Sequence, residues 1–96
     1  MADLRLNSIP KTTVVSVTTA ATLLPTTPLK SQTSRSLYND GSETVFLGPA
    51  DVDTTGSKKG FPLKAGQEKT FGCSELFSIY GRVVTGPVNV IVMEAY

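Results

Sequence analysis

Few residues in this 96-residue chain could do chemistry. Asp51 and Asp53 lie two apart, and on an extended segment such side chains point the same way, an arrangement that can hold a hard cation such as calcium. Val52 intervenes and no Asn or Glu completes a loop-type site, so the pair reads as a solvated turn in which Asp bonds its own backbone. Gly56-Ser57-Lys58-Lys59-Gly60 superficially resembles a phosphate-binding loop. It lacks the full spacing and the Lys-Ser/Thr ending, and Phe61-Pro62 continues as strand where a helix should begin. Two lysines between glycines read instead as an exposed, charged loop. Cys73, between Gly72 and Ser74, has no basic neighbour to lower its pKa and reads as a small packed residue. With no His there is no ordinary Ser or Cys nucleophile–base pair and none of the usual zinc spacings, and a single Cys excludes an internal disulfide framework. No catalytic, cofactor-binding or metal residue is assigned, and the chain is not expected to be an enzyme.

The aromatic residues Tyr38, Phe46, Phe61, Phe71, Phe77 and Tyr80 could stack on single-stranded nucleic acid or sugar. Nine basic against eight acidic side chains, spread thinly, leave no basic groove to accompany them. They are expected to pack in a core or an interface, with neither nucleic acid nor membrane as a partner. Arg35 and Arg82, each inside a strand, are read as pairing with Glu43 or Glu68 at the surface, where such pairs contribute little.

Positioning any of these residues falls to strands. The chain holds 13 Thr and 10 Val with charged residues at only 18%, and β-branched side chains fit a pleated surface while losing χ1 freedom in a helix. Gly and Pro cut the sequence into short extended pieces: Thr12 to Leu24 as one long or two short strands, then Ser34 to Tyr38, Glu43 to Leu47, Phe61 to Lys64, Glu68 to Phe71, Leu76 to Tyr80, Arg82 to Thr85 and Val88 to Ala95. Asp40-Gly41 predicts a hairpin between Ser34 to Tyr38 and Glu43 to Leu47. Ala50 to Gly60 reads as an exposed loop, Gly81 as a break between strands, and a helical turn is expected only near Cys73 to Leu76. The expected fold is all-β: a small antiparallel β-sandwich or jelly-roll-like barrel of about eight short strands. An extended N-terminal arm, residues 1–11, precedes a single domain, residues 12–96. The run Val14 to Val17 breaks at Thr18, Thr19 and Thr22, short of a signal peptide's apolar stretch, and no window approaches the roughly 18 apolar residues of a membrane span. The expectation is therefore synthesis in a cytoplasm.

Alternation makes several strands apolar on both faces. Leu37, Val45 and Leu47 oppose Tyr38, Thr44 and Phe46; Val88, Val90 and Val92 oppose Ile91, Met93 and Ala95; Leu76 and Tyr80 oppose Phe77 and Ile79. A free-standing sandwich of this size should have one solvated face per sheet. Either a tightly rolled barrel is covered by the arm and loops, or the second face meets another subunit. The second alternative is the expectation here, because burying extra apolar surface stabilises by about 25 cal/mol per Å² and a short chain has little core of its own. Tyr38, Phe46, Ile91 and Met93 are the oligomer-interface candidates.

From Arg35 onward a longer pattern is present: Arg35-Ser36-Leu37-Tyr38-Asn39-Asp40-Gly41, Val45-Phe46-Leu47-Gly48, Val52, Gly60-Phe61-Pro62-Leu63 with Ala65-Gly66-Gln67, Leu76-Phe77-Ser78-Ile79-Tyr80 and a Val-rich last strand. Preceded by a Thr/Val-rich strand and Leu24-Pro25-Thr26, it resembles the small all-β virion proteins of tailed bacteriophages, the head decoration or cement type in particular, over roughly residues 12–96. Its landmarks are turn residues and alternating strands; residues 1–11 carry none. The resemblance implies a non-enzymatic structural protein on the outside of an assembled capsid, synthesised in the host cytoplasm, with the major capsid protein and itself, as homodimer or homotrimer, as partners and no cofactor. The arm residues Leu4, Arg5, Leu6 and Ile9, with Lys58 and Lys59, are the capsid-contact candidates. A tail, neck or head-fibre base component and a carbohydrate-binding adsorption module are the alternatives.

Overall fold

The computed structural model describes residues 10–28, 34–72 and 78–95. They form β1 (Lys11–Val17), β2 (Thr22–Leu23), β3 (Ser34–Asn39), β4 (Val45–Gly48), a 3-10 turn (Gly56–Lys58), β5 (Phe61–Leu63), β6 (Glu68–Gly72), β7 (Tyr80–Arg82) and β8 (Val88–Ala95). Two four-stranded sheets stack face to face, the first in the order β1-β8-β3-β6 and the second β2-β7-β4-β5. Every strand pairing is antiparallel. The pairs β1·β8, β2·β7, β3·β6 and β4·β5 nest inside one another, as in a long hairpin folded at its middle and wrapped across two layers. That is the jelly-roll wrap of an all-β sandwich, and no α-helix occurs among the described residues. β1 takes in Lys11, opposite Glu94, so regular pairing begins one residue inside the stretch assigned to the arm.

The core fills the single layer between the sheets: Val15, Val17, Leu37, Val88, Val90 and Val92 from the first, Val45, Leu47 and Leu63 from the second, with Leu24, Ile79 and Val83 from the connections. Each fully buried Val or Leu stabilises by about 1.5–3 kcal/mol relative to exposure. Alternation is strictest on β8, where Val88, Val90, Val92 and Glu94 are buried while Asn89 and Met93 are exposed.

The hairpin predicted at Asp40-Gly41 does not form. β3 and β4 lie in different sheets, and the turn carries the chain across the sandwich. A two-residue hairpin needs φ > 0 at its centre, and Gly41 is not in that region; its lack of a side chain is required because a Cβ there would lie 2.6 Å from Val88 Cγ1. The crossing is held by Asn39. Its carboxamide Nδ2 donates to the carbonyls of Glu43 (2.7 Å) and Leu63 (2.8 Å), and its Oδ1 accepts from the Gly41 N–H (2.9 Å). The backbone of Asn39 donates to Gln67 O (3.0 Å) and accepts from Gly66 N–H (2.9 Å), which fastens the β5–β6 turn to the same point.

Gly81 is likewise not a break. It lies inside β7, paired with Thr22 and Leu47, where a Cβ would come within 2.8 Å of Leu24 Cδ1. The Ala50 to Gly60 segment is exposed over most of its length but anchored by Val52, which is buried, and closed by bonds from Asp53 N–H to Lys58 O and Gly60 N–H to Asp53 O, both 2.9 Å. The 3-10 turn sits here; the turn expected near Cys73 to Leu76 falls outside the described residues, as do Leu76 and Phe77 of the strand read there.

Asn39→Ala removes three bonds at a buried crossing and leaves two carbonyls and one N–H unpaired. The expected loss is about 3 kcal/mol, a fall in Tm of roughly 15 °C by circular dichroism. A shift under a few degrees would show that water replaces the carboxamide.

Candidate functional site

β8 is the second strand of its sheet, paired on both sides, so the residues it turns outward occupy the middle of an outer face. Registers place Met93 between Thr12 and Ser36, with Thr70 beyond, and Ile91 between Val14 and Tyr38, with Glu68 beyond. The two rows enclose a shallow groove of about 260 Å³ lined by Thr12, Ser36, Tyr38, Glu68, Ile91 and Met93. Ser36 Oγ, on its lining, shares a hydrogen bond of 2.9 Å with Thr70 Oγ1 of the neighbouring strand. Val14, Met93 and Tyr38 stand 60%, 44% and 38% exposed on this face. Open, small and largely apolar, the groove is shaped for contact with a protein surface more than for enclosing a small molecule.

Three of the four interface candidates, Tyr38, Ile91 and Met93, thus come together. Phe46 does not join them. It is half-buried on β4 in the other sheet, opposite Arg82 and Pro62, with Lys59 Nζ 5.7 Å from its ring centroid. Val14 belongs to the face but was missed, because it lies in a continuous run (Thr12 to Val17) where alternation is weak.

The remaining candidates are tied up locally. Lys58 Nζ lies 3.0 Å from Asp51 Oδ2 in an exposed pair. That hydrogen bond and the Lys58 charge hold the Asp51 carboxyl below its ordinary pKa. The contribution is present above the usual carboxylate range and is lost as pH falls through the lowered value; exposure keeps it small. Asp53 Oδ1 accepts from Thr54 N–H (2.7 Å) and faces Arg82 Nη1 at 3.9 Å. Both carboxylates are therefore neutralised by separate cations, and among the described residues no three ligating side chains gather. In the Gly56–Gly60 loop the N–H groups of Lys59 and Gly60 are bonded inward to Gly56 O and Asp53 O, which leaves them unavailable to a phosphate. Arg82 pairs with Asp53 rather than Glu43 or Glu68, and its guanidinium also donates to Thr19 O (2.7 Å) and Val52 O (3.3 Å). It clips two loops to the second sheet. Leu4, Arg5, Leu6, Ile9 and Cys73 lie outside the described residues. Among the described residues no helix is long and apolar enough to cross a membrane.

Arg35 also departs from its expected partners. Alternation with Leu37 turns it inward, where it is wholly buried with Glu94, Nε to Oε2 3.7 Å, while Nη1 donates to Leu24 O at 3.1 Å. The pair bridges β3 and β8 in register and reaches the second layer. Enclosed on every side, it is structural. Glu94→Gln removes the carboxylate charge 3.7 Å from the buried guanidinium, and urea unfolding should show a loss of about 3 kcal/mol. Replacing both residues by apolar ones of similar volume (Arg35→Met with Glu94→Leu) should recover most of it, and a double variant no better than the single would mean the charges are needed for the fold itself. In comparisons with known proteins, the chain matches no family model, no curated protein and no solved structure.

Proposed function

We propose that this chain is an accessory structural protein of a virion, of the decoration or cement type carried on the heads of tailed bacteriophages. It binds the outside of an assembled capsid and stabilises the shell through many repeated contacts, with the major capsid protein and further copies of itself as partners. It is made in the host cytoplasm and ends on the particle surface. The observation that carries this reading is the outer face of the first sheet, where Val14, Tyr38, Ile91 and Met93 form an apolar surface on a strand core already complete without them. Contact area is what such a part supplies. Weak contacts repeated over a lattice gain avidity, since each bound site raises the effective concentration for the next. The jelly roll is used by viral shell proteins, and also by lectins and cupins, so the wrap supports the reading without selecting it. A tail, neck or head-fibre base component would use the same contact chemistry in far fewer copies.

One observation favours a second reading, a glycan-binding adsorption module: Tyr38 is turned outward beside Glu68. Stacking on a sugar usually needs more than one ring, and the other lining residues, Ile91 and Met93 among them, are not aromatic. Protein contact is therefore preferred.

The test is co-sedimentation with purified particles lacking the protein. Ile91→Asp puts a charge at the centre of the face and is expected to weaken particle binding by about 2 kcal/mol or more while Tm moves by only a few degrees. Undiminished occupancy, or saturable binding to host-surface glycan lost in Tyr38→Ala, would overturn the proposal.

A further inference from the structure

A jelly roll has four sheet edges, and each presents unpaired N–H and C=O groups that invite another strand. Here the four are not alike. β2 offers only two residues, β5 carries Pro62 at its middle, and β6 has Glu68 and Lys69, the latter turned inward over the Phe61 ring at 4.9 Å. Short length, proline and inward charge are the devices that keep an edge from pairing. β1 has none of them. It runs seven residues, Lys-Thr-Thr-Val-Val-Ser-Val, with its only charge at one end and Val14 60% exposed.

The ladder also says which of its groups are free. Asp40 N–H donates to Asn89 O, so Asn89 directs its backbone groups toward β3. In an antiparallel sheet a residue's N–H and C=O point to the same side and the side alternates along the strand. Val88, Val90, Val92 and Glu94 therefore bond β1, through Val17, Val15, Thr13 and Lys11. Thr12, Val14 and Ser16 turn their N–H and C=O to the open edge, and no hydrogen bond to these groups exists among the described residues. Pro10, next in the same alternation, has no N–H and ends the series.

We infer that β1 is a self-pairing edge: two copies of this chain join β1 to β1 antiparallel about a two-fold axis through Val14, which makes one continuous eight-stranded sheet. This register alone uses every free group. Val14 pairs with Val14 of the second copy, and Thr12 with its Ser16 on either side, each pair exchanging both bonds. Centring on Thr13 would strand Ser16 opposite Pro10, and centring on Val15 would run Thr12 past the end of the strand. In the Val14 register the two Lys11 side chains lie at opposite ends of the ladder, so no like charges meet. The outward side chains fit as well, because the row Tyr38–Ile91–Val14 meets its own copy and becomes one uninterrupted apolar strip. The inference stands apart from the virion proposal: a dimer with no affinity for any particle would leave it intact.

Val14→Pro provides the test. In a monomer the Val14 N–H makes no bond to β8, so proline there leaves the ladder complete; in the dimer it removes the central donor from both copies. Val14→Lys, which sets two charges across the axis, serves as the second variant. The 96-residue chain should show a monomer–dimer equilibrium by sedimentation velocity, with amide exchange at Thr12, Val14 and Ser16 slowed in the dimer. At concentrations below the dimer Kd both variants should keep the wild-type melting curve, and both should raise that Kd at least about tenfold. A monomer at every concentration, a dimer indifferent to both variants, or a monomer whose three edge amides are already protected by its own chain would each overturn the inference.

Discussion

The side-chain period of two along β8 is the constraint from which the rest of the molecule follows. This strand is paired on both edges, and one face of it is committed to the layer of core between the two sheets. Once Val88, Val90 and Val92 are buried, Ile91 and Met93 have nowhere to go but out. A slip of one residue would exchange the two sets and empty the core. The strands beside β8 inherit the same choice through their registers, so Val14, Tyr38 and Ser36 share the outer face. An apolar exterior is thus a consequence of sequence on a strand whose interior is already filled, and it is not relieved by any packing among the described residues.

A wrapped hairpin must pass from one sheet to the other several times, and at each crossing backbone groups leave their ladders. Two polar devices absorb this. Asn39 bonds three backbone groups from its side chain where β3 hands over to β4. Near the opposite end of the same strand, Arg35 and Glu94 sit between the layers, and Arg35 reaches the Leu24 carbonyl. Both devices lie on the inward set of β3 and β8. They hold the sheets in one mutual register, which also makes the outer face a stable shape.

Most of the architecture was legible from punctuation and alternation. Val88 to Ala95 could be read to the residue, and the outward turn of Tyr38, Ile91 and Met93 followed from counting in twos. What could not be read was which strands pair. Asp40-Gly41 carries the composition of a hairpin, but Val88 crowds Gly41 and Asn39 takes the turn's bonds, interactions with residues far along the chain. Phe46 was placed with Tyr38 for the same reason: the assumed hairpin would have put them on one sheet. The inward turn of Arg35 was visible in its alternation with Leu37, and that of Glu94 in its alternation with Val92. Charge argued for the surface, and here the period prevailed because each residue supplies the other's counter-charge. The open edge of β1 had no signature until the fate of the other three edges was known.

An apolar outer face and one unguarded edge, both within the described residues, are the features on which the proposed role in protein contact rests. An electron-microscopy reconstruction of the parent particle tests that claim most directly. The proposed role requires this sandwich in many copies on the shell exterior, with Tyr38, Ile91 and Met93 covered by neighbouring protein. Absence of the chain from the particle, or its presence with that face bare to solvent, would contradict it.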